Sequence, residues 1–157
     1  MDHLLKILEI AHFSSDQKII WSSGNLLNIL HNSGKEFVLK TLFTGEESIP
    51  TDYYIGLDSR ATLTAAQTMA NLSEPSGSGY TRQTVSSSGD FNYDSIGLVK
   101  TSLLTFLCTS GSYSVKNVFL TTEPDDTGFL ISSVPLTENR TLTSGETLTL
   151  RAGFSLS

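Results

Sequence analysis

Three histidines and one cysteine are the residues of this sequence best suited to bind a metal ion or to act as nucleophiles. His3, His12 and His31 lie far apart, and no two of them have the i, i+4 spacing that places two imidazoles on one face of a helix. Cys108 has no cysteine partner, which excludes an intrachain disulfide and a cysteine-based zinc site. Because it ends an apolar run, we interpret Cys108 as a small buried hydrophobic side chain. The sequence therefore predicts no metal ion and no cofactor.

Carboxylates are grouped in two places, at Glu46-Glu47 and around Glu123, Asp125 and Asp126. Glycoside hydrolysis needs two carboxyl groups about 5 to 10 Å apart across a cleft, which neighbours on one loop do not provide. The second group could offer oxygens to calcium, but it lacks the EF-hand spacing, so a solvated turn is favoured. Serine is too common here for a Ser–His pairing to be informative, and no Gly-x-Ser-x-Gly motif occurs. We therefore expect no catalytic residue and no enzymatic activity.

The tyrosines leave a binding function open. Exposed aromatic rings stack on sugars in carbohydrate-binding modules, whereas buried tyrosines with a bonded hydroxyl would look identical in sequence. The candidates are Tyr53, Tyr54, Tyr80, Tyr93 and Tyr113. A carbohydrate-binding module for host attachment is thus an alternative function.

Composition excludes other classes of partner. The formal net charge is -6, and no cluster of basic residues is present, so we expect no nucleic-acid binding. No apolar run approaches the roughly 20 residues that cross a bilayer, and the start lacks the cationic region of a secretory signal. We expect one domain over residues 1–157, made in the cytoplasm, with no membrane partner.

The N-terminal part mixes strand and helix patterns. Residues 3–11 fit either a buried strand or a short helix, residues 18–21 predict a second strand in a hairpin, and residues 22–25 predict a turn. Helical spacing follows over residues 25–43. Ser33 and Glu36 fit a capping box, so we predict a helix over residues 34–43 that stops at Gly45. Thr64 and Gln67 fit a second capping box, which predicts a helix of two turns.

The rest of the chain has β patterns separated by turn residues. We predict strands over residues 51–57, 80–86, 98–108, 115–122 and 129–134, the last of these ended by Pro135. The final strand alternates, with Leu148, Leu150, Ala152, Phe154 and Leu156 on one face. The sequence thus predicts a mainly β fold, an antiparallel β-sandwich of jelly-roll or immunoglobulin-like wiring with one or two short helices. Residues 1–45 would form an N-terminal arm, hairpin and helix, and residues 46–157 the sandwich.

Several strings occur in a distinctive order. They are FVLKTLF at residues 37–43, YIGLDSR at 54–60, LSEPSGSGYTRQ at 72–83 and GETLTL at 145–150. With Trp21 and residues 25–28, they make most of the chain resemble a family of small virion proteins of tailed bacteriophages. The resemblance implies a structural particle component without catalytic residues, on the head as a capsid decoration (cement) protein or on the tail, fibre or baseplate.

An assembly role also fits the residues themselves. The apolar start of the chain is expected either to add to a neighbouring subunit or to pack under its own sandwich, in a homo-oligomer (a dimer or a trimer) on the virion surface. The expected partners are the major capsid protein or other virion proteins, bound by apolar contacts and β-augmentation. The candidate partner-binding residues are Leu4, Leu5, Ile7, Leu8, Ile10, Trp21, Tyr53 and Tyr54.

Overall fold

Two antiparallel sheets dominate the computed structural model, which describes residues 4–95 and 97–155, residue 95 by its backbone alone. The elements in chain order are β1 (Leu5–Phe13), β2 (Ile19–Leu27), β3 (Ile29–Leu30), α1 (Asn32–Leu39), a π-helix (Lys40–Thr44), β4 (Asp52–Asp58), a 3₁₀ turn (Met69–Asn71), β5 (Gln83–Ser86), β6 (Phe91–Ser95), β7 (Leu98–Thr101), β8 (Leu104–Leu107), β9 (Ser112–Thr121), β10 (Leu130–Thr143) and β11 (Thr147–Phe154). The predicted mainly β fold is confirmed.

The sheets stack as a sandwich. One has the order β2-β1-β11-β7-β6, with β8 also pairing with β11, and the other has the order β3-β10-β9-β4-β5. Every pair of strands is antiparallel, including the N-terminal hairpin of β1 and β2. Because β1, β2 and β3 belong to the two sheets, much of the first 45 residues is part of the sandwich.

Alternating side chains from both sheets fill one core. On β11, Leu148, Leu150 and Ala152 are fully buried, as the alternation predicts. On β1, Leu5, Ile7 and Ile10 are buried as well, and a register shift between Ile7 and Glu9 restores the inward face of the strand. Residues 3–11 fit either a buried strand or a short helix in sequence, and the described residues of this segment form the strand. His3 lies outside the described residues. Hydrogen bonds with both neighbours make β1 a central strand.

The predicted turn at residues 22–25 is wrong, because β2 runs straight through it. A Cβ at Gly24 would lie 2.7 Å from the carbonyl oxygen of Leu8. Glycine is therefore needed at this position because the two strands approach each other closely. In the sequence, such a glycine cannot be told from a turn residue.

Helix α1 is capped differently from the prediction. Among the described residues, no side chain caps its N-terminus, and the Ser33 hydroxyl instead donates to the carbonyl of Leu130 at 2.7 Å. The Ser33–Glu36 capping box is therefore wrong, because a tertiary hydrogen bond takes the serine. The chain continues from α1 into the π-helix, and Gly45, with a φ of 67°, ends it as predicted.

Four other predictions are corrected in part. The Thr64 amide does donate to the Gln67 side chain, but helical structure is limited to the 3₁₀ turn, whose capping box is Thr68 and Asn71. The strand predicted at 80–86 begins only at Gln83, and the run at 98–108 divides into β7 and β8. Strand β10 continues past Pro135, where a register shift accommodates the missing amide. The polar strand β6 has no counterpart among the predictions.

The glycine at position 34 lets α1 lie directly on β10. A Cβ there would lie 2.2 Å from the carbonyl oxygen of Ile131. We predict that Gly34→Ala lowers the free energy of unfolding by about 2 kcal/mol, because helix and strand must move apart. Gly89→Ala is the control, since a Cβ at Gly89 meets no atom within 4 Å, and should cost less than about 0.5 kcal/mol. Urea denaturation measures both, and equal losses would contradict this packing.

Candidate functional site

An apolar pocket of about 350 Å³ opens at one end of the sandwich, between the two sheets and beside α1. One sheet contributes residues from β6, β7 and β11, the other contributes residues from β4, β9 and β10, and the helix supplies one wall. The described lining residues are Leu4, Phe37, Val38, Thr41, Leu42, Ile49, Tyr53, Phe91, Val99, Leu120, Ile131 and Phe154. The pocket is therefore the part of the sandwich core that its own strands leave open.

Four apolar side chains of α1, the π-helix and the segment after it are exposed, and two of them line this pocket. Leu39, Leu42 and Phe43 follow one another at helical spacing, and Ile49 comes from the segment after the π-helix. Their exposed fractions are 56% for Leu39, 65% for Leu42, 78% for Phe43 and 70% for Ile49. Leu42 and Ile49 also line the pocket, so the exposed side chains and the pocket are continuous. We call these four residues together with the pocket the helix-end surface.

The helix-end surface has a rigid support. Phe37, on the inner face of α1, is buried and packs against Phe129 with ring centroids 5.5 Å apart. The change from α- to π-helix after Leu39 shifts the helical phase, and such π segments are often found at functional sites. The sequence predicts residues 39–43 only as the last part of a helix and gives them no binding role. The available signal is that five of the seven residues of FVLKTLF are apolar, although a surface helix buries only one face.

The residues predicted to bind a partner fall into three groups. Leu5, Ile7 and Ile10 are buried in the core of their own chain, so they are not exposed to a partner. Leu4 and Tyr53 line the pocket and adjoin the helix-end surface. The other three are half-buried elsewhere, Leu8 beside Gly153, Trp21 under the guanidinium of Arg140 and Tyr54 within β4.

Residues of the segment SEPSGSGYTR form a partly buried polar cluster, which we call the clamp. The Tyr80 hydroxyl donates to Glu74 at 2.7 Å and accepts the Leu57 amide at 2.8 Å. Strand β5 pairs with β4 only up to Ile55, so this hydroxyl takes the place of the next strand carbonyl. Burial, reinforced by the charge of Glu74, raises the pKa of Tyr80 well above its usual value, which keeps the hydroxyl proton available for donation.

Arg82 extends the clamp to the acidic loop. Its guanidinium pairs with Glu74 and, at 2.7 Å, with Asp126, and it donates to the carbonyl of Glu123 at 3.1 Å. Asp125 accepts the amide of Thr127 at 2.9 Å in a tight turn. The carboxylates of Asp125 and Asp126 are thus engaged in fixing the loop, which is the turn that the sequence favoured over a calcium site.

His12 is a buried histidine held at both ring nitrogens. Nε2 lies 3.2 Å from Glu146, and Nδ1 lies 3.2 Å from the guanidinium of Arg140. A guanidinium only donates, so Nδ1 accepts and the proton is on Nε2. The Thr143 amide and, to a smaller extent, His12 hold the pKa of Glu146 below its usual value. With both nitrogens occupied, His12 stabilises the β10–β11 end of the sandwich rather than facing a substrate.

The tyrosines do not form one exposed platform. Tyr80 and Tyr113 pack against each other with ring centroids 6.0 Å apart, and Tyr80 also stacks on Phe106. Tyr53 and Tyr54 are half-buried, and Tyr93 is 70% exposed. Stacking on a sugar would therefore depend mainly on a single ring, which is little for a module that binds through aromatic faces.

Among the described residues, no three or more His, Cys, Asp or Glu side chains are grouped so that they could hold a metal ion. No helix in this part of the chain is long and apolar enough to cross a membrane. Cys108 is buried in the core, as interpreted from the sequence. The chain matches no protein-family model, and no curated protein matches it significantly.

Removing the Tyr80 hydroxyl should weaken the clamp. We predict that Tyr80→Phe lowers the free energy of unfolding by about 1 to 3 kcal/mol, because the buried Leu57 amide loses its acceptor. Amide hydrogen exchange at Leu57 should accelerate in the same variant. The exposed Tyr93→Phe is the matched control and should change stability by less than about 0.5 kcal/mol. Unchanged exchange at Leu57 would contradict the role given to Tyr80.

His31 should make stability depend on pH. It is fully buried with Nε2 2.8 Å from the Ser133 hydroxyl, and burial lowers its pKa below the ordinary 6.5, with the Thr64 and Ala65 backbone opposing the shift in part. The unfolded chain binds the proton more tightly, so stability is complete above 6.5 and is lost as pH falls through 6.5 towards the folded pKa.

We therefore predict that the urea concentration at the midpoint of unfolding decreases as the pH is lowered from about 7.5 to 5.5. His31→Gln should make this midpoint less dependent on pH. Denaturation curves at several pH values measure it. A slope of the same size in His31→Gln would assign the effect to another group.

Proposed function

We propose that this protein is a non-enzymatic structural protein of a phage virion, a capsid decoration (cement) protein that binds neighbouring capsid subunits through the helix-end surface. The observation that carries the proposal is an open apolar pocket whose lining includes the exposed Leu42 and Ile49, with Leu39 and Phe43 exposed on the same helical segment as Leu42. The resemblance of the sequence to small virion proteins supplies the kind of partner.

Exposure of these apolar side chains to water is unfavourable in free energy, and a bound partner would bury them. Contiguous exposed apolar surface on a soluble domain marks an interaction site more often than scattered single residues do. Fully burying one Leu, Ile or Phe side chain is worth about 1.5 to 3 kcal/mol. Four such residues beside a pocket provide a modest interface, and many copies on a shell would add their contributions.

The polar groups of the protein support a structural rather than a catalytic role. Tyr80, Glu74 and Arg82 bind one another and the acidic loop, and His12 is held at both nitrogens. Asp58, also buried, accepts the Ser73 amide and the Asn117 side chain. In each cluster the side chains satisfy one another, which favours a function carried by the surface.

An edge strand offers a second contact. Strand β2 lies at the edge of its sheet in the described part of the chain, and it exposes Ile19, Ile20 and Leu27. An exposed edge of nine residues can pair with a strand of another chain. This edge fits β-augmentation between subunits, including the proposed dimer or trimer.

The proposal is tested with particles that lack this protein. Purified, gold-labelled chain is added, and electron microscopy locates the label. We predict labelled heads, and an at least tenfold loss of occupancy for Leu42→Ser with Phe43→Ser, because two exposed anchors are worth more than about 1.4 kcal/mol.

The matched control is Leu103→Ser with Leu107→Ser, which removes two exposed apolar side chains outside both the helix-end surface and the β2 edge. It should keep most of the occupancy. Label on tails would assign the protein to the tail, fibre or baseplate instead, and a positive glycan array without particle binding would favour the carbohydrate-binding alternative. Equal loss in both double variants would contradict the choice of surface.

A further inference from the structure

Acidic side chains surround the helix-end surface. Lys40 lies 2.8 Å from Glu36 and 3.9 Å from Glu46, and Glu47 follows in the same loop. Hydrogen bonding to Glu36 and the charges of all three carboxylates raise the pKa of Lys40. One ammonium group thus faces three carboxylates, and the rim beside the exposed apolar side chains is net negative.

A second groove includes Glu47 of this acidic rim in its lining. It has a volume of about 390 Å³, and Glu123, Phe37 and Phe129 also line it. Phe37 also lines the apolar pocket, so the two depressions share a wall. Neither Glu47 nor Glu123 forms an ion pair with any residue in the described ranges, and the nearby Arg82 is already paired with Glu74 and Asp126.

We propose that the helix-end surface binds a basic amphipathic segment of a partner protein, with apolar side chains in the pocket and lysines or arginines facing Glu46, Glu47 and Glu123. This inference rests on the proposed function, in which the segment belongs to a capsid subunit. The charges select this occupant over the others. A fatty acid would bring a carboxylate to an acidic rim, and a second copy of the chain would bring the same rim and a net charge of -6.

The test uses a short synthetic peptide of leucine and lysine patterned as an amphipathic helix, and a matched peptide with glutamate in place of lysine. Each is titrated into the isotopically labelled full chain and followed by NMR. The leucine–lysine peptide should shift the resonances of Leu42, Phe43 and Ile49. Its affinity should fall at least tenfold between about 0.05 and 0.5 M salt. The glutamate peptide should bind at least tenfold more weakly.

Two charge variants test whether peptide binding depends on the carboxylates of the rim or on the net negative charge of the whole protein. Glu46→Lys with Glu47→Lys should weaken the leucine–lysine peptide at least tenfold. Asp16→Lys with Glu138→Lys changes the net charge by the same amount away from the surface, since Asp16 lies in the turn at the opposite end of β1 from Leu4. This control should weaken binding less than twofold. Equal effects of the two variants, equal binding of the two peptides, or no binding of the basic peptide would overturn the proposal.

Two further measurements separate this inference from the function on which it rests. Palmitate that displaces the basic peptide and binds equally well to the Glu46→Lys, Glu47→Lys chain would make the pocket a lipid site and overturn the inference. Particles that accept this variant as well as the unaltered chain, while rejecting Leu42→Ser, would overturn the inference and support the proposed function. Binding of the peptide at this surface without any binding of the protein to particles would support the inference and overturn the proposed function.

Discussion

The apolar core between the two sheets has to be shielded from water at both ends, and the rest of the molecule follows from how this is done. At the end beside Leu4 and Phe154, the described cover is one short helix and the segment after it. Helix α1 comes close enough to cover this end because Gly34 has no side chain between the helix and Ile131. The cover is incomplete, and the remaining gap is the pocket.

The loops, in contrast to the apolar core, are held in place by polar side-chain contacts. Tyr80 completes the hydrogen bonding of β4 where β5 stops, and Arg82 ties the loop after β9 to Glu74. Buried charges are stabilising only when their hydrogen bonds are satisfied, and here the partners come from segments distant in sequence. These clusters are therefore explained by the fold, which leaves the apolar surface as the feature that the fold alone does not explain.

The sequence predicted those parts of the fold that depend on local pattern. Alternation fixed the faces of β11, and the lone Gly45 fixed the end of the helix, because each signal acts through the residue's own backbone or burial. Three local predictions were wrong for one shared reason, those based on Ser33, Gly24 and Pro135. Their role depends on a neighbour from another part of the chain: the Leu130 carbonyl, the Leu8 carbonyl and the bulge in β10.

The candidate site was harder to predict than the fold. Hydrophobicity at Leu5, Ile7 and Ile10 suggested a partner, but pairing with β2 and β11 places these side chains in the chain's own core. Leu42 and Phe43 are also strongly hydrophobic but are exposed, because the π-helix that carries them can turn only one face to the sheets. Composition does not distinguish the two cases, since the distinction depends on how many neighbours the topology supplies.

An exposed apolar surface brings a risk of self-association, and the charges around it bear on that risk. Two copies that meet through this surface would bring Glu46, Glu47 and Glu123 against the same residues, with Lys40 already shared among nearby carboxylates. Like charges in close contact cost several kcal/mol, roughly the gain from burying one or two apolar side chains. The same carboxylates attract a basic segment. Under the proposed function, one set of charges therefore opposes pairing of two copies through the helix-end surface and favours binding of the basic segment of a capsid subunit.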